Sequence, residues 1–356
     1  MTAFETLEPI TDGIFQIAWE STLKCNFDCA YCGDGHDNSQ SHPSLEDSLK
    51  TVDFIFDYVD IVMSTKTDQY REANLNIQGG ESIFHPNIIE ILEYINSKKS
   101  QYRWTMRVAL ITNGSCSTAK WIKIVQYIDY ATMSFHASSH TKFHLMFKYN
   151  CLYLKSVGKN FQINVMMDPN YWDKCVRLVD WANQRTFLVH KRQIDHHWFD
   201  TRFNYTNKQA EYITGKKPST ATEKIKAIFT GGFDLSSTGR ACCGGKTLCT
   251  NSCDTTTYVE GNNFKGWHCS VDKFFLYIRQ TTGEIFTNKD CRMNFDGQVG
   301  PIGNLKNTSL LLDKVRQGTD TIVCKKSRCW CGLCAPKAAT KELFDEINRK
   351  YAKTVN

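Results

Sequence analysis

The sequence predicts an α/β fold in which a partial, TIM-like (β/α)6 barrel precedes a smaller α+β region. Between residue 14 and about residue 200, six short apolar runs alternate with amphipathic segments, which is typical of a parallel sheet with crossover helices. This span is shorter than the roughly 250 residues of a complete eight-unit barrel. We therefore expect the barrel to be open.

The predicted strands and helices follow one another in regular alternation. The strands are GIFQIAW, ANLNIQG, TMRVALITNG, YATMSFH, FQINVMMD and TFLVHKRQI. The helices are SLEDSLKTVDFIFDYVD, PNIIEILEYINSKK, STAKWIKIVQYI, SHTKFHLMFKYNCLYLKSV and YWDKCVRLVDWANQ. The first helix has a start signal, because Ser44 and Asp47 have the spacing of a capping box. We place the barrel in residues 1–205.

The C-terminal part of the chain has a different pattern. A polar stretch rich in Gly and Thr, residues 206–265, is predicted to be a bridge or a substrate loop. Residues 266–356 contain WHCSVDKFFLYIRQTTGEIFTNKDC, in which two alternating strands flank a Thr-Gly turn. A turn, a helix, the run CKKSRCWCGLC and a final helix follow. These elements predict a small α+β domain.

Composition and charge exclude several classes of protein. The chain is 41% hydrophobic and 22% charged, as ordinary globular proteins are. No apolar run approaches the roughly 18 residues that a membrane span needs, and the acidic, polar N-terminus is unlike a signal peptide. We therefore expect a cytoplasmic protein without a membrane partner. The net charge of +6 permits an anionic partner without requiring one.

The cysteines indicate metal or redox chemistry, because a reducing compartment does not keep disulfides and the chain has 16 thiols. Cys25, Cys29 and Cys32 follow the first predicted strand with the spacing C-x3-C-x2-C. Four thiolates close a zinc or iron–sulfur site, whereas three leave one metal position open for a small molecule. A zinc site would need a fourth ligand, which His36 or His42 could supply.

Polar and glycine residues follow the next four predicted strands, in QGGES, TNGS, SFHAS and MMDPN. The carboxyl ends of parallel strands meet at one edge of a sheet, and reactive groups sit there. We therefore expect these loops to surround the three cysteines.

This arrangement resembles the radical S-adenosylmethionine (radical SAM) superfamily. The resemblance rests on CNFDCAYC, in which the aromatic Tyr31 precedes the third cysteine, and on QGGES one strand later. It implies that Cys25, Cys29 and Cys32 are catalytic and hold a 4Fe–4S cluster whose free iron binds S-adenosylmethionine (SAM). An electron from the cluster would cleave SAM to a 5′-deoxyadenosyl radical that abstracts a hydrogen atom from the substrate. Flavodoxin or ferredoxin would supply the electron.

The resemblance also assigns residues to the SAM site. Gly79, Gly80 and Glu81 match the GGE motif, whose backbone and carboxylate meet the SAM ammonium group in that family. The other implied SAM contacts are Tyr31, Asn113, Ser134 and either Asn164 or Met166, depending on strand register. An ordinary hydrogen bond at the sheet edge is the alternative for Ser134 and Asn164.

The C-terminal region is similar to the SPASM or twitch extension of the same superfamily, which implies an auxiliary 4Fe–4S cluster. The ligands that this similarity implies are Cys269, Cys291, Cys331 and Cys334. Cys324 and Cys329 are further candidates, because CKKSRCWCGLC departs from the usual spacing. A second auxiliary cluster would raise the number of ligands to about eight, and residues 242–253 could contribute to it. We expect one.

Two features remain open at this stage. Cys242 and Cys243 could belong to a substrate loop, to a small zinc site or to a set of buried thiols. His196 and His197, in DHHWFD, could bind substrate or move protons, or they could be solvated loop residues.

Three functions are compatible with these features. The preferred one is radical modification of a peptide or amino-acid-like substrate, in post-translational or natural-product modification. The alternative is radical modification or isomerisation of a nucleotide, a nucleic-acid base or a group attached to one. The third is a zinc-stapled binding protein without catalysis.

Overall fold

The computed structural model describes residues 6–7, 14–32, 37–65, 72–194, 203–215, 264–287, 300–317, 322–325 and 337–346. Within these residues the largest unit is a nine-stranded sheet. A short strand β1 (Thr6–Leu7) belongs to a second sheet. The six barrel strands of the large sheet, which are mutually parallel, are β2 (Ile14–Thr22), β3 (Glu72–Gly79), β4 (Thr105–Thr112), β5 (Tyr130–His136), β6 (Asn160–Met166) and β7 (Val189–Arg192). They are neighbours in chain order, as the predicted partial barrel requires.

Five helices connect these strands. They are α1 (Leu45–Thr65), α2 (Ile88–Lys99), α3 (Thr118–Ile124), α4 (Thr141–Ser156) and α5 (Trp172–Asn183). At the start of α1, the Ser44 hydroxyl oxygen accepts a hydrogen bond from the Asp47 N–H at 3.0 Å, as predicted. Among the described helices, none is long and apolar enough to cross a membrane.

The sixth predicted strand is shorter in the structure than in the sequence pattern. The segment TFLVHKRQI predicted a strand over residues 186–194, whereas β7 covers four residues. The cause is the turn that ends α5, in which Thr186 has a positive φ of 56° and the Phe187 N–H donates to the Ala182 carbonyl at 3.0 Å. These residues close the helix before the strand can begin.

The two faces of the large sheet have different chemistry. On the face that packs against the helices, side chains such as Ile17, Leu75 and Leu110 are fully buried in one apolar core. The concave face carries polar side chains, because successive residues of a strand point to opposite faces. They pair across strands: the Asn74 amide donates to Gln16 Oε1 at 3.3 Å. The concave face is therefore a polar surface that can receive a ligand.

The predicted C-terminal hairpin joins the barrel sheet. After α6 (Asn207–Thr214) and β8 (His268–Cys269), strands β9 (Phe275–Arg279) and β10 (Glu284–Phe286) form the antiparallel pair. The turn between them requires Gly283, whose φ is +73°. β9 lies parallel to β2, so the hairpin extends the large sheet at its open edge. β11 (Gly303–Asn304) ends this edge, and α7 (Thr308–Gln317) follows.

The remaining C-terminal strands form the second sheet. Its order is β1, β13 (Lys337–Ala338), β8 and β12 (Ile322–Val323), and residues 341–346 are helical. Both β13 and β12 pair antiparallel with β8, which brings two C-terminal segments to the strand that contains Cys269. The boundaries predicted at residues 205 and 265 remain predictions.

Candidate active site

The three-cysteine loop follows β2 at the carboxyl edge of the parallel sheet. Cys25, Cys29 and Cys32 are half-buried, and none of them is in a disulfide. The backbone folds back on itself, because the Cys32 N–H donates to the Cys29 carbonyl at 2.9 Å. The Cys25 N–H donates to Asn38 Oδ1 at 3.0 Å, and the Phe27 N–H points at Cys25 Sγ at 3.4 Å. The loop therefore has its own hydrogen bonds before any metal binds.

The environment of the thiols makes their ionisation costly without a cation. Burial raises the pKa of Cys25 to about 11 and the pKa of Cys29 to about 12. The neighbouring thiols raise both values further, since three thiolates would repel one another. A bound cation removes this cost, as in metal–thiolate sites generally.

The three thiols are ligands of the type that hold iron–sulfur clusters. In the part of the chain that the structure describes, no three His, Cys, Asp or Glu side chains surround one ion position. His42, one of the two possible zinc ligands, has its Nδ1 at 3.0 Å from Thr22 Oγ1 and packs against His85. The other, His36, lies outside the described residues.

The two glycines of QGGES let the β3 loop pack against the β2 loop. A Cβ on Gly79 would lie 2.2 Å from the Thr22 carbonyl oxygen, and one on Gly80 would lie 2.2 Å from the Lys24 carbonyl oxygen. The backbones are hydrogen-bonded here, because the Gly80 N–H donates to Thr22 and the Glu81 N–H donates to Lys24, both at 2.7 Å. The close approach that these glycines permit is therefore made by the protein's own backbone.

The Glu81 carboxylate is buried and accepts hydrogen bonds from the protein itself. The Thr112 hydroxyl donates to Oε1 at 2.7 Å, the Asn113 N–H donates to Oε2 at 2.6 Å, and the Ile83 N–H donates at 3.3 Å. Burial nevertheless raises the pKa of Glu81 to about 7. Glu81 is 2% exposed. Its hydrogen bonds connect the loop after β3 to the turn after β4.

Asn113 continues this connection to the cysteine loop. Its amide nitrogen donates to Asn26 Oδ1 at 2.9 Å and lies 3.9 Å from Cys25 Sγ. The following residue, Gly114, has a φ of +68°, and a Cβ there would lie 2.7 Å from the Met133 side chain. The sequence TNG is thus a tight turn that holds an amide against the first cysteine.

A second group of residues contacts the other end of the loop. His136 Nδ1, at the end of β5, lies 3.4 Å from Cys29 Sγ and 3.0 Å from the Tyr31 hydroxyl. The Tyr31 and His136 rings stack at an interplanar angle of 8°. Burial lowers the pKa of His136 to about 4, so its imidazole is neutral at neutral pH. A neutral imidazole has one N–H to donate, and a thiolate can only accept.

The remaining predicted SAM contacts lie on the concave face. Ser134 is the register partner of Asn164, and His136 is the partner of Met166. Asn164 and Met166 are two residues apart on β6, so they share one face and register cannot choose between them. Asn164 Oδ1 accepts from Arg192 Nε at 3.4 Å. Their contacts with SAM remain predictions.

The structure describes two of the cysteines that are candidates for an auxiliary cluster. Cys269 is buried in β8, and Cys324, also buried, directly follows the β12 strand that pairs with β8. The Cys324 N–H donates to the Trp267 carbonyl at 2.8 Å, which holds the two segments together. The other predicted residues lie outside the described residues: Cys242, Cys243, Cys291, Cys329, Cys331, Cys334, His196 and His197.

His136, Asn26 and Thr112 are site residues that the sequence analysis did not assign. His136 had a usable signal, because it lies two residues after Ser134 in a predicted strand and must share its face. Asn26 and Thr112 had no such signal in the sequence, because both act through contacts with residues at least 31 positions away.

Comparison with protein families identifies the barrel. Residues 19–183, from β2 to the end of α5, match the model described as Radical SAM superfamily. Among curated proteins, the chain is similar to "Antilisterial bacteriocin subtilosin biosynthesis protein AlbA" of Bacillus subtilis (strain 168), with 29% identity over 109 residues. That match covers 30% of this chain and 20% of AlbA, so it spans about a fifth of the relative's length.

Solved structures share the fold at low sequence identity. The structure titled "Native anSMEcpe with bound AdoMet" has a TM-score of 0.53 and 12% identity, covering 95% of this chain and 96% of that one. Streptococcus suis SuiB bound to precursor peptide SuiA has a TM-score of 0.52 and 12% identity, covering 86% and 65%. The anSMEcpe complex with AdoMet and Kp18Cys peptide has a TM-score of 0.52 and 13% identity, covering 86% and 82%. These likenesses show the fold.

Proposed function

Since residues 19–183 belong to the Radical SAM superfamily, we propose that the protein reductively cleaves SAM and abstracts a hydrogen atom from a peptide substrate. The observation that carries the proposal is the three-thiol loop, held at the carboxyl edge of the sheet by the loops after β3 and β4. This edge opens onto the polar concave face. Three thiolates leave one cluster iron without a protein ligand, and that position is where SAM would bind.

Different residues of the protein would bind the cluster, hold the cysteine loop and bind SAM. Cys25, Cys29 and Cys32 would hold the 4Fe–4S cluster, which supplies one electron to the SAM sulfonium when both are bound. Asn113 and the loop after β3 keep the Cys25 end of the loop in place. Ser134 lies on the concave face, where it would bind polar groups of SAM.

A peptide is the favoured substrate because the names of similar proteins and structures refer to bound peptides or to bacteriocin biosynthesis. The SuiB structure contains the precursor peptide SuiA, an anSMEcpe structure contains the Kp18Cys peptide, and AlbA is named for bacteriocin biosynthesis. The nucleotide alternative has no such support.

We also propose one auxiliary 4Fe–4S cluster in the C-terminal region. Its support is the placement of Cys269 and Cys324 on adjacent segments of the second sheet. Four thiolates would fill all positions of this cluster, which suits electron transfer or structural support rather than SAM binding. Together the two clusters would give about eight irons per chain.

The test is anaerobic reconstitution of wild type and the Cys25→Ala variant, followed by iron and sulfide analysis and measurement of 5′-deoxyadenosine. We expect Cys25→Ala to lose about four irons per chain and all detectable 5′-deoxyadenosine, because two thiolates do not hold the first cluster. The control is Cys151→Ala, which removes a buried thiol of the α4 core and should leave both values unchanged.

Two results would contradict the proposal. One is 5′-deoxyadenosine formation by Cys25→Ala at the wild-type rate. The other is wild-type protein that contains zinc without acid-labile sulfide. A mass increase or decrease in candidate peptides, compared with nucleosides in parallel reactions, identifies the substrate class.

A further inference from the structure

A stripe of apolar side chains is exposed on the outer face of α4. Leu145, Tyr149 and Leu152 are 56%, 65% and 42% exposed, and their i, i+4, i+7 spacing puts them on one face of the helix. The opposite face of α4 is buried in the core through Phe147 and Leu154. Single exposed apolar residues are ordinary, but a stripe over two helical turns is typical of an interaction surface.

Positive charge surrounds this stripe. Residues 117–128 and 137–159 contain six lysines and no Asp or Glu, in a chain whose formal net charge is +6. The lysines are Lys120, Lys123, Lys142, Lys148, Lys155 and Lys159. None of them forms an ion pair with another described residue, whereas Lys98 and Lys99 of the neighbouring α2 are paired with Asp53 and Asp129. Within these two ranges all the formal charge is therefore positive.

The basic surface continues onto α5. Lys148 Nζ lies 5.3 Å from the centre of the Trp181 ring, and the Arg185 guanidinium lies 5.0 Å from the same ring. Cation–π contacts of this kind hold long side chains at the surface without neutralising their charge. An approaching anion therefore meets fixed positive groups on two helices.

The α4 helix reaches the cysteine loop directly. Phe143, in the first turn of α4, packs on Phe27 with ring centres 5.1 Å apart. Phe27 lies between Cys25 and Cys29 in the chain, and its backbone N–H points at Cys25 Sγ. Phe143 and Phe27 thus form an aromatic contact between the first turn of α4 and the cysteine loop.

This approach differs from the one a substrate would take. Phe147 of α4 packs on Phe135, which belongs to the helix-covered face of β5, with ring centres 5.3 Å apart. Ser134 and His136, on the other face of the same strand, border the concave surface. A partner on α4 can therefore approach the cysteine loop while the concave face is occupied.

We propose that these residues, the basic α4 face (Lys142, Leu145, Lys148, Tyr149 and Leu152), dock an acidic protein that carries single electrons. The inference rests on the proposed function, because the docked carrier would be oxidised by one electron and the cluster of the cysteine loop would gain that electron. An acidic carrier is attracted by the unpaired lysines, and complexes for electron transfer are small and transient, so a short apolar stripe suffices. An acidic peptide substrate would instead have to reach the concave face.

The experiment compares two charge-reversal variants of the reconstituted protein. The docking variant is K142E/K148E/K155E, and the matched control is K208E/K306E/K314E, which changes exposed lysines on other elements. Each lowers the formal net charge from +6 to 0. Cluster reduction is followed by stopped-flow absorbance with chemically reduced flavodoxin, and separately with dithionite, at about 20 mM and about 300 mM salt.

We expect the docking variant to be reduced by flavodoxin about tenfold more slowly at low salt, because electrostatic steering raises association rates by this order or more. The control should lose at most a small part of its rate, and dithionite should reduce all three proteins equally. The Leu145→Asp variant should raise the apparent Kd for flavodoxin even at high salt, where charge steering is screened.

Three results would overturn the inference. Equal slowing of both triple variants would mean that net charge alone matters, and no slowing would mean that the carrier docks elsewhere. A docking variant that is reduced normally but no longer binds a peptide substrate would assign the face to substrate. A wild-type protein that dithionite cannot reduce would instead refute the proposed function, so the two failures are distinguishable.

Discussion

The two ends of the cysteine loop are held by different kinds of contact. Around Cys25, the contacts are polar and buried: Asn113 links the loop to the Glu81 carboxylate, and both side chains are at most 7% exposed. Around Cys29, the contacts are a tyrosine and a histidine that stack on each other and border the concave face. The Cys25 end is therefore held inside the protein, whereas the Cys29 end borders the surface at which a ligand would bind.

This difference changes the interpretation of the GGE sequence. The contact with the SAM ammonium group that the motif predicts remains a prediction, and the structure adds that its glycines and its carboxylate bind the protein's own loops. The loops after β2, β3 and β4 are thereby joined into one unit. Changes at the Cys25 end should consequently affect stability and cluster retention, and changes at the Cys29 end should affect the properties of the cluster.

The largest expected effect is that of Gly80→Ala. The new methyl group would lie 2.2 Å from the Lys24 carbonyl oxygen and 2.4 Å from its carbon, so one of the two loops must move. We expect a loss of about 3 kcal/mol or more in the free energy of unfolding, as for severe overpacking. Urea unfolding of the cluster-free protein measures this loss, and iron content after reconstitution should fall in parallel.

The control for Gly80→Ala is Gly300→Ala. Gly300 is exposed, and a Cβ there would have no neighbour within 4 Å. Its unfolding midpoint should equal that of wild type. If Gly80→Ala were equally stable, the two loops would not be packed as the structure describes.

The next effect concerns the pH dependence of stability. The pKa of Glu81 is about 7 in the folded protein and 4.5 for an ordinary glutamate, so the folded state binds the proton more tightly between these values. The free energy of unfolding should therefore fall as the pH rises from 4.5 to 7, by up to about 3 kcal/mol. Glu81→Gln cannot ionise and should lack this component of the fall.

Urea unfolding of the cluster-free protein at several pH values tests this difference. Glu90→Gln is the matched control, because Glu90 is exposed in the first turn of α2. It should keep the wild-type slope. A Glu81→Gln variant with the same slope as wild type would show that the carboxyl group titrates normally.

The smallest effect is expected at the Cys29 end, for His136→Phe. Phenylalanine keeps a ring for Tyr31 to stack on but removes the ring nitrogen Nδ1, which lies 3.4 Å from Cys29 Sγ and could donate a hydrogen bond to it. Hydrogen bonds to cluster sulfurs stabilise the more negative, reduced state. Loss of one bond worth about 1 kcal/mol should lower the reduction potential by about 40 mV.

An EPR-monitored redox titration of the reconstituted protein measures this shift, and the stability of the cluster-free protein should change little. His144→Phe is the control, since His144 packs on Phe135 and belongs to α4. Its potential should equal the wild-type value. An unchanged potential in His136→Phe would mean that the imidazole only fills space beside the loop.

The sequence by itself determined the elements of the barrel and the position of the cysteine loop after its first strand. The alternation of apolar runs with amphipathic segments predicted six parallel strands and five helices, and the fold and the Radical SAM match confirm that prediction. The cysteine spacing and the QGGES and TNGS loops followed from local sequence alone. These features are readable because periodicity and turn chemistry depend on residues that are near in the chain.

Only the tertiary structure decided how distant segments meet. It placed β9 beside β2, although these strands are more than 250 residues apart in the chain. It also turned the Glu81 carboxylate inward to Thr112, brought Asn113 to Cys25 and set His136 against Cys29. Each of these contacts joins residues from different strands, and their distances depend on the packing of the whole sheet. No local pattern records that packing, and so the residues that hold the cysteine loop became identifiable only in the fold.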